Sequence, residues 1–112
     1  MDIEEVVGRF LANRTDIKTF LEVPKDKPDE FLSVELIGGG GSFLEPALLD
    51  VDCWAETRKR AKTISKLIQS VIPDLDDEAN LFHPTVENVY QMNDPDSGKP
   101  RYVVSIQVWI CE

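Results

Sequence analysis

The sequence predicts an α+β fold: a single domain with a mainly antiparallel sheet of four to five strands and two helices packed on one face. Three observations carry this. Apolar residues recur at helical spacing in two segments and alternate with polar residues in others. The elements run α-β-β-β-α-β-β, without the strand–helix rhythm of a parallel sheet. A length of 112 residues with 42% hydrophobic content suits one domain, 1–112, with one core.

The first helix begins at Asp2, which with Glu5 has capping-box spacing. Ile3, Val6, Val7, Phe10 and Leu11 then form one apolar stripe, and 13–16 is a plausible end. Gly8 costs about 1 kcal/mol relative to alanine inside a helix, so close packing is expected there. Residues 17–23 read as a short strand and 24–29 as a polar loop. In 31–37, Leu32, Val34 and Leu36 share one face while Ser33 and Glu35 take the other. The glycines that follow do not suit a packed strand, so 38–44 is expected to be a flexible hairpin loop. Leu49, Val51 and Cys53 then alternate with Asp50, Asp52 and Trp54, completing a β-hairpin.

Segment 56–72 is the strongest helix, with Ala61, Ile64, Leu67, Ile68, Val71 and Ile72 at helical spacing. Pro73 marks its exit. Its other side carries Arg58, Lys59, Lys62 and Lys66, with Arg60 nearby. Residues 74–78 form an acidic surface loop, 85–92 a weaker strand and 93–100 a dense turn cluster. From Tyr102 to Ile110 apolar residues alternate in a run long enough to pair on both sides. With the sequence ending just beyond, no C-terminal tail is expected to reach a partner.

Charge narrows the function classes. With 21 Asp and Glu against 12 Lys and Arg, the net charge is −9. That argues against a simple duplex binder and against adsorption to anionic membranes. The acidic start, Met1 to Glu5, is unlike a signal peptide, and no apolar run reaches the ~18 residues of a membrane span. Five of the twelve cations fall within 58–66, which leaves seven against all 21 acids elsewhere. Such segregation suits either a solvated helix face or head-to-tail association of subunits. Cys53 and Cys111 read as small buried hydrophobes in a reducing cytosol, a disulfide being the alternative.

Catalytic motifs are weak. The glycine run lacks the lysine of a phosphate loop, and no helix opens after it as a dinucleotide fingerprint requires. His83, the single histidine, stands beside Pro84 and reads as solvated or capping. One histidine and two separated cysteines do not make a structural zinc site. Asp50 and Asp52 share a strand face with Glu56 nearby, the type of acidic set that metal-dependent nucleases use, so that class is kept as an alternative. Residues 74–78 lack the ligand alternation and glycine of a calcium loop. Phe43 and Leu44 beside the glycines either fold back on the core or dock on a neighbour.

Several of these residues together carry a resemblance. Val34-Glu35-Leu36-Ile37-Gly38-Gly39, a Gly/Ser stretch, then Leu49-Asp50-Val51-Asp52-Cys53-Trp54-Ala55 lead into a helix with Arg58 and Ala61. The turn Asp94-Pro95-Asp96-Ser97-Gly98, followed by Arg101-Tyr102 and a terminal strand, completes it. This pattern resembles the tail-completion proteins of long-tailed bacteriophages and prophages, closest to the tail-terminator (minor tail, tail-to-head joining) group. The resemblance implies a structural α+β subunit of the virion, made in the bacterial cytoplasm, that forms a ring, typically hexameric. Such a ring caps the tail tube, meets a head-side connector protein and lets DNA pass without specific binding. It implies no catalytic residues, no cofactor and no membrane. Another connector or minor capsid subunit, or a generic interaction module, is the alternative.

Three expectations follow for assembly. Part of the negative charge lines the DNA channel, where it keeps phosphate from sticking. Arg58, Lys62 and Lys66 face a neighbouring subunit, the two lysines around its 74–78 segment. Gly39, Gly40, Gly41, Phe43 and Leu44 belong to a loop that orders on docking.

Overall fold

Helix α1 spans Ile3–Thr15 and starts on the cap read from the sequence: the Asp2 carboxylate accepts from the Glu5 backbone N–H at 3.2 Å. Its last turn closes on Asp16, whose φ of 59° is left-handed and whose N–H returns to Ala12 O. The computed structural model describes residues 1–40 and 45–111. Gly8 is buried, and a Cβ there would stand 3.2 Å from Leu21 Cδ2, so the glycine does serve close packing.

Strand β1 is only Thr19–Phe20, shorter than the expected 17–23, because Leu21 and Val23 turn out to solvent. It pairs in parallel with β2, Phe31–Gly39, which makes the sheet mixed rather than purely antiparallel. Strand β3, Ala47–Trp54, pairs antiparallel with β2, setting Val34 opposite Val51 and Glu35 opposite Asp50.

The expected loop 38–44 begins later than its glycine content implied. Gly38 still pairs with Leu48, and Gly39 with Ala47, past a bulge between Leu36 and Gly38. The glycines there admit close backbone approach. Gly39 has φ 67°, and a Cβ on it would lie 2.0 Å from the Pro46 carbonyl oxygen. Gly40 donates its N–H to that same oxygen at 3.2 Å. Gly41, Ser42, Phe43 and Leu44 lie outside the described residues, and with them most of the expected loop. Replacing Gly39 with alanine is expected to cost at least about 2 kcal/mol in chemical denaturation, from left-handed strain plus the clash. Replacing Gly98, where nothing lies within 4 Å of the added carbon, carries the strain without the clash and serves as the control.

Helix α2, Arg58–Val71, is capped by Thr57, whose hydroxyl accepts from the Arg60 N–H at 3.1 Å. Leu67 is 40% exposed, whereas the sequence had placed it in the apolar stripe. Ser65 takes that buried place instead, since Ala61, Ile64, Ser65 and Ile68 are the positions that 3.6-residue periodicity brings to one side. Ser65 satisfies its hydroxyl on Lys62 O at 2.6 Å. The chain continues as a short 3-10 helix, Ile72–Asp77, with Pro73 in its first turn. The segment read as an acidic surface loop is therefore anchored by the buried Leu75.

Strand β4, Leu81–Gln91, starts four residues earlier than expected. Pro84 masks this in the sequence. The ladder accommodates it with a register shift between Phe82 and Thr85 and a left-handed His83, φ 52°. Strand β5, Arg101–Ile110, lies between β3 and β4 and is antiparallel to both, so the order is β1-β2-β3-β5-β4.

Both helices pack on one sheet face, as expected. Leu32, Val34, Leu49, Val51, Cys53, Val104 and Ile106 meet Val7, Leu11, Ile64 and Ile68 there. Burial pushes the Cys53 thiol's pKa up. Cys111 departs from expectation: it follows the last strand and is exposed, and both cysteines are free. Long edge strands invite unwanted pairing. Here β4 is broken by two register shifts, and the Glu4 carboxylate accepts the Leu36 N–H at 2.8 Å along the outer side of β2.

Candidate functional site

The sheet face away from the helices is built by the other half of each alternating strand. Across it run Phe31, Trp54 and Arg101 in one row, then Ser33, Asp52, Val103 and Tyr90, then Glu35, Asp50, Ser105 and Asn88. The first row is closed. Trp54 stacks on Phe31 at 5.1 Å and 11°, Phe20 meets Phe31 edge-on, and Trp54 Nε1 donates to Ser33 Oγ at 3.0 Å. The Arg101 guanidinium lies 4.9 Å from the Trp54 ring centre.

The next two rows are acidic. Asp52 and Arg101 pair at 3.6 Å, each with 14% of its side chain exposed. Burial raises the Asp52 pKa to about 6, Asp50 and Glu35 push the same way, and Arg101 and Ser33 oppose without prevailing. Asp50 accepts from Ser105 Oγ at 2.6 Å. Burial, then Asp50 and Asp52, also raise the pKa of the Tyr90 hydroxyl. Leu21, Glu22 and Val23 wall a cleft of about 370 Å³ over Glu35, Asp52 and Arg101. Toward the far end Leu48 and Phe82 are partly exposed.

The basic residues lie on the opposite side of the molecule. Helix α2 buries its apolar face on the sheet, and Arg58, Lys59, Lys62 and Lys66 point outward. A groove of about 500 Å³ runs between Arg58, Lys59, Lys62 and Tyr102. Among the described residues none of these four cations makes an ion pair, whereas Arg60 is held by Glu30. Asp74 and Asp77 bind Arg14 at 2.7 and 3.3 Å, so the segment expected to meet a neighbour's lysines is partly neutralised within its own chain.

No protein-family model and no curated protein matches the chain. The residues themselves must therefore speak for its role.

The structure brings Arg58, Lys62 and Lys66 together on one helix face and leaves Gly39 and Gly40 at the distant end of the β2–β3 hairpin. Gly41, Phe43 and Leu44 are not among the described residues. The nuclease alternative gains no geometry: Glu56 pairs with Lys99 at 2.8 Å, away from Asp50 and Asp52. Among the described residues no three His, Cys, Asp or Glu are placed to hold a metal. Nor is any helix among them long and apolar enough to cross a membrane. His83 is exposed at the β4 bulge, with Phe82 beside it.

Sequence reading had not joined Glu35 to Asp50 and Asp52, nor given Arg101 a role. The alternation that placed Ser33 and Glu35 opposite Leu32 and Val34 held the signal for Glu35. The pairing register supplied the rest.

Proposed function

We propose that the chain is a structural subunit of a phage or prophage neck, a tail-completion protein that caps the tail tube as a ring and joins tail to head. The observation that carries this is the separation of charge onto two opposed faces. An acidic sheet face and an unpaired basic helix face cannot meet within one subunit, but they meet naturally between successive subunits. Contacts of that heterologous type repeat, and they close into a ring when the rotation between subunits permits. The resemblance of the sequence to tail-completion proteins supports the same reading, with a hexamer as the expected size.

The partners in this reading are other copies of the chain, the tail tube protein and a head-side connector protein. The role is mechanical, with no substrate, cofactor or membrane. DNA passes through the ring, and the surplus of acidic residues keeps its phosphates from adhering.

Deleting the gene from its phage or prophage tests this. Electron microscopy is expected to show tail tubes of irregular length and filled heads without tails, and the full-length chain supplied in trans restores whole virions. Normal infectious particles from the deletion would overturn the proposal. A defect confined to head maturation would move the protein to another connector role.

A further inference from the structure

We infer that the open sheet face is the docking site for helix α2 of a second copy of this chain, with Lys62 and Lys66 of one subunit set over Glu35, Asp50 and Asp52 of the next. The inference deepens the ring reading by naming the two surfaces that meet, and it rests on that reading for the closure of the ring. The contact itself stands on geometry and charge.

The first argument is spacing. Arg58, Lys62 and Lys66 follow at i, i+4 and i+8, so their origins step by about 6 Å along one face of the helix. Asp50 and Asp52 are two residues apart on β3, a step of about 6.8 Å. Glu35 sits directly across from Asp50 on the neighbouring strand, about 4.8 Å away. Two successive cations at that pitch, Lys62 and Lys66, can lie along the strand over Asp50 and Asp52, with Glu35 beside Asp50 to share the nearer one.

The second argument is balance. Among the described residues Arg101 is the one cation lining the cleft over Asp52, against Glu22, Glu35 and Asp52 there and Asp50 beside them. Asp52 is largely buried and keeps its proton to unusually high pH, so an incoming ammonium group stabilises its ionised form. On α2, Lys59, Lys62 and Lys66 make no ion pair among the described residues. Each face carries the charge that the other lacks.

The third argument is placement. The helix covers the inner face of the sheet, so its basic side and the open sheet face point in opposite directions. No rearrangement of one subunit brings them together. Apolar side chains complete the site: Leu48 and Tyr90 are partly exposed near the acids, and Leu67 is 40% exposed on the helix between Lys66 and the core. Leu67, out of place in the monomer, gains a partner in this contact.

Charge exchange tests the contact by analytical ultracentrifugation of the full chain at low and moderate salt. The double variant Lys62→Glu with Lys66→Glu is expected to weaken self-association at least tenfold. Glu35→Lys with Asp50→Lys is expected to do the same, and all four changes in one chain are expected to restore it. Each variant is checked by circular dichroism; should the β3 change impair folding, Glu35→Lys paired with Lys62→Glu carries the exchange. Undiminished association in the double variants, or no recovery in the exchanged chain, overturns the inference. A wild-type chain that stays monomeric throughout overturns it too. Those results leave the tail role to be judged by the deletion phenotype.

Discussion

Trp54→Ala is expected to produce the largest loss of stability of any single substitution, about 4 kcal/mol. Trp54 is 1% exposed although it belongs to the sheet face away from the helices. Its truncation removes the stack on Phe31, the platform beneath Arg101 and the hydrogen bond to Ser33 at once. Truncating a buried aromatic costs about 3–5 kcal/mol by the lost transfer energy and the cavity left behind. Ser33, only 6% exposed, also loses its donor, which adds to the cost. For a domain of this size each kcal/mol lowers Tm by about 4–8 °C, so a fall of roughly 15–30 °C is expected in thermal denaturation. Trp54→Phe keeps the ring contact and gives up the hydrogen bond, and is expected to cost far less. A loss below about 1 kcal/mol for the alanine variant would show that the closed row does not hold the sheet together.

Asp52→Asn is expected to raise monomer stability at neutral pH and to flatten its pH dependence between about pH 4 and 6. The sign follows from the direction of the shift. Asp52 titrates near 6 in the folded chain against 3.8 for an ordinary aspartate, so its protonated form is the one that folding favours. The favourable contribution is complete below about pH 4 and is lost as pH rises through 6. The shift corresponds to a penalty on the order of 3 kcal/mol at pH 7. Urea unfolding of both chains at low protein concentration isolates this group, because every other carboxylate is common to the two. Parallel stability profiles would overturn it. The facing groups are Glu35 on β2, Asp50 on β3, Tyr90 on β4, Arg101 on β5 and Glu22 in the preceding loop. In the docked arrangement a lysine from the neighbour reverses the bias, so self-association is expected to strengthen as pH rises through the same range.

Much of this architecture was legible in the sequence, for identifiable reasons. Strands β2, β3 and β5 alternate because one face meets the helices and the other does not. Helix α2 announces itself by an apolar stripe and a following proline. What escaped was set by partners distant in sequence. Nothing in 17–23 marks Thr19–Phe20 as the part that pairs, or its partner as a parallel strand. Pro84 argued against a strand that two irregularities make possible. Leu67 and Ser65 exchange the places their chemistry suggests. In the candidate site, Asp50, Asp52, Arg58, Lys62 and Lys66 were visible from spacing alone. Glu35 and Arg101 joined them only through register, which alternation does not determine.

The central place of β5 also governs how the chain is made. Strands β3 and β4 are both complete well before residues 101–110 leave the ribosome, yet they touch that strand and not each other. At ~5–20 residues per second, the nascent protein waits seconds with the inner edge of β3 bare and the underside of α2 unsealed. A product stalled or truncated before that strand therefore carries an open edge that templates clumping, and it is residues 101–110 that turn the half-built sheet into a closed one.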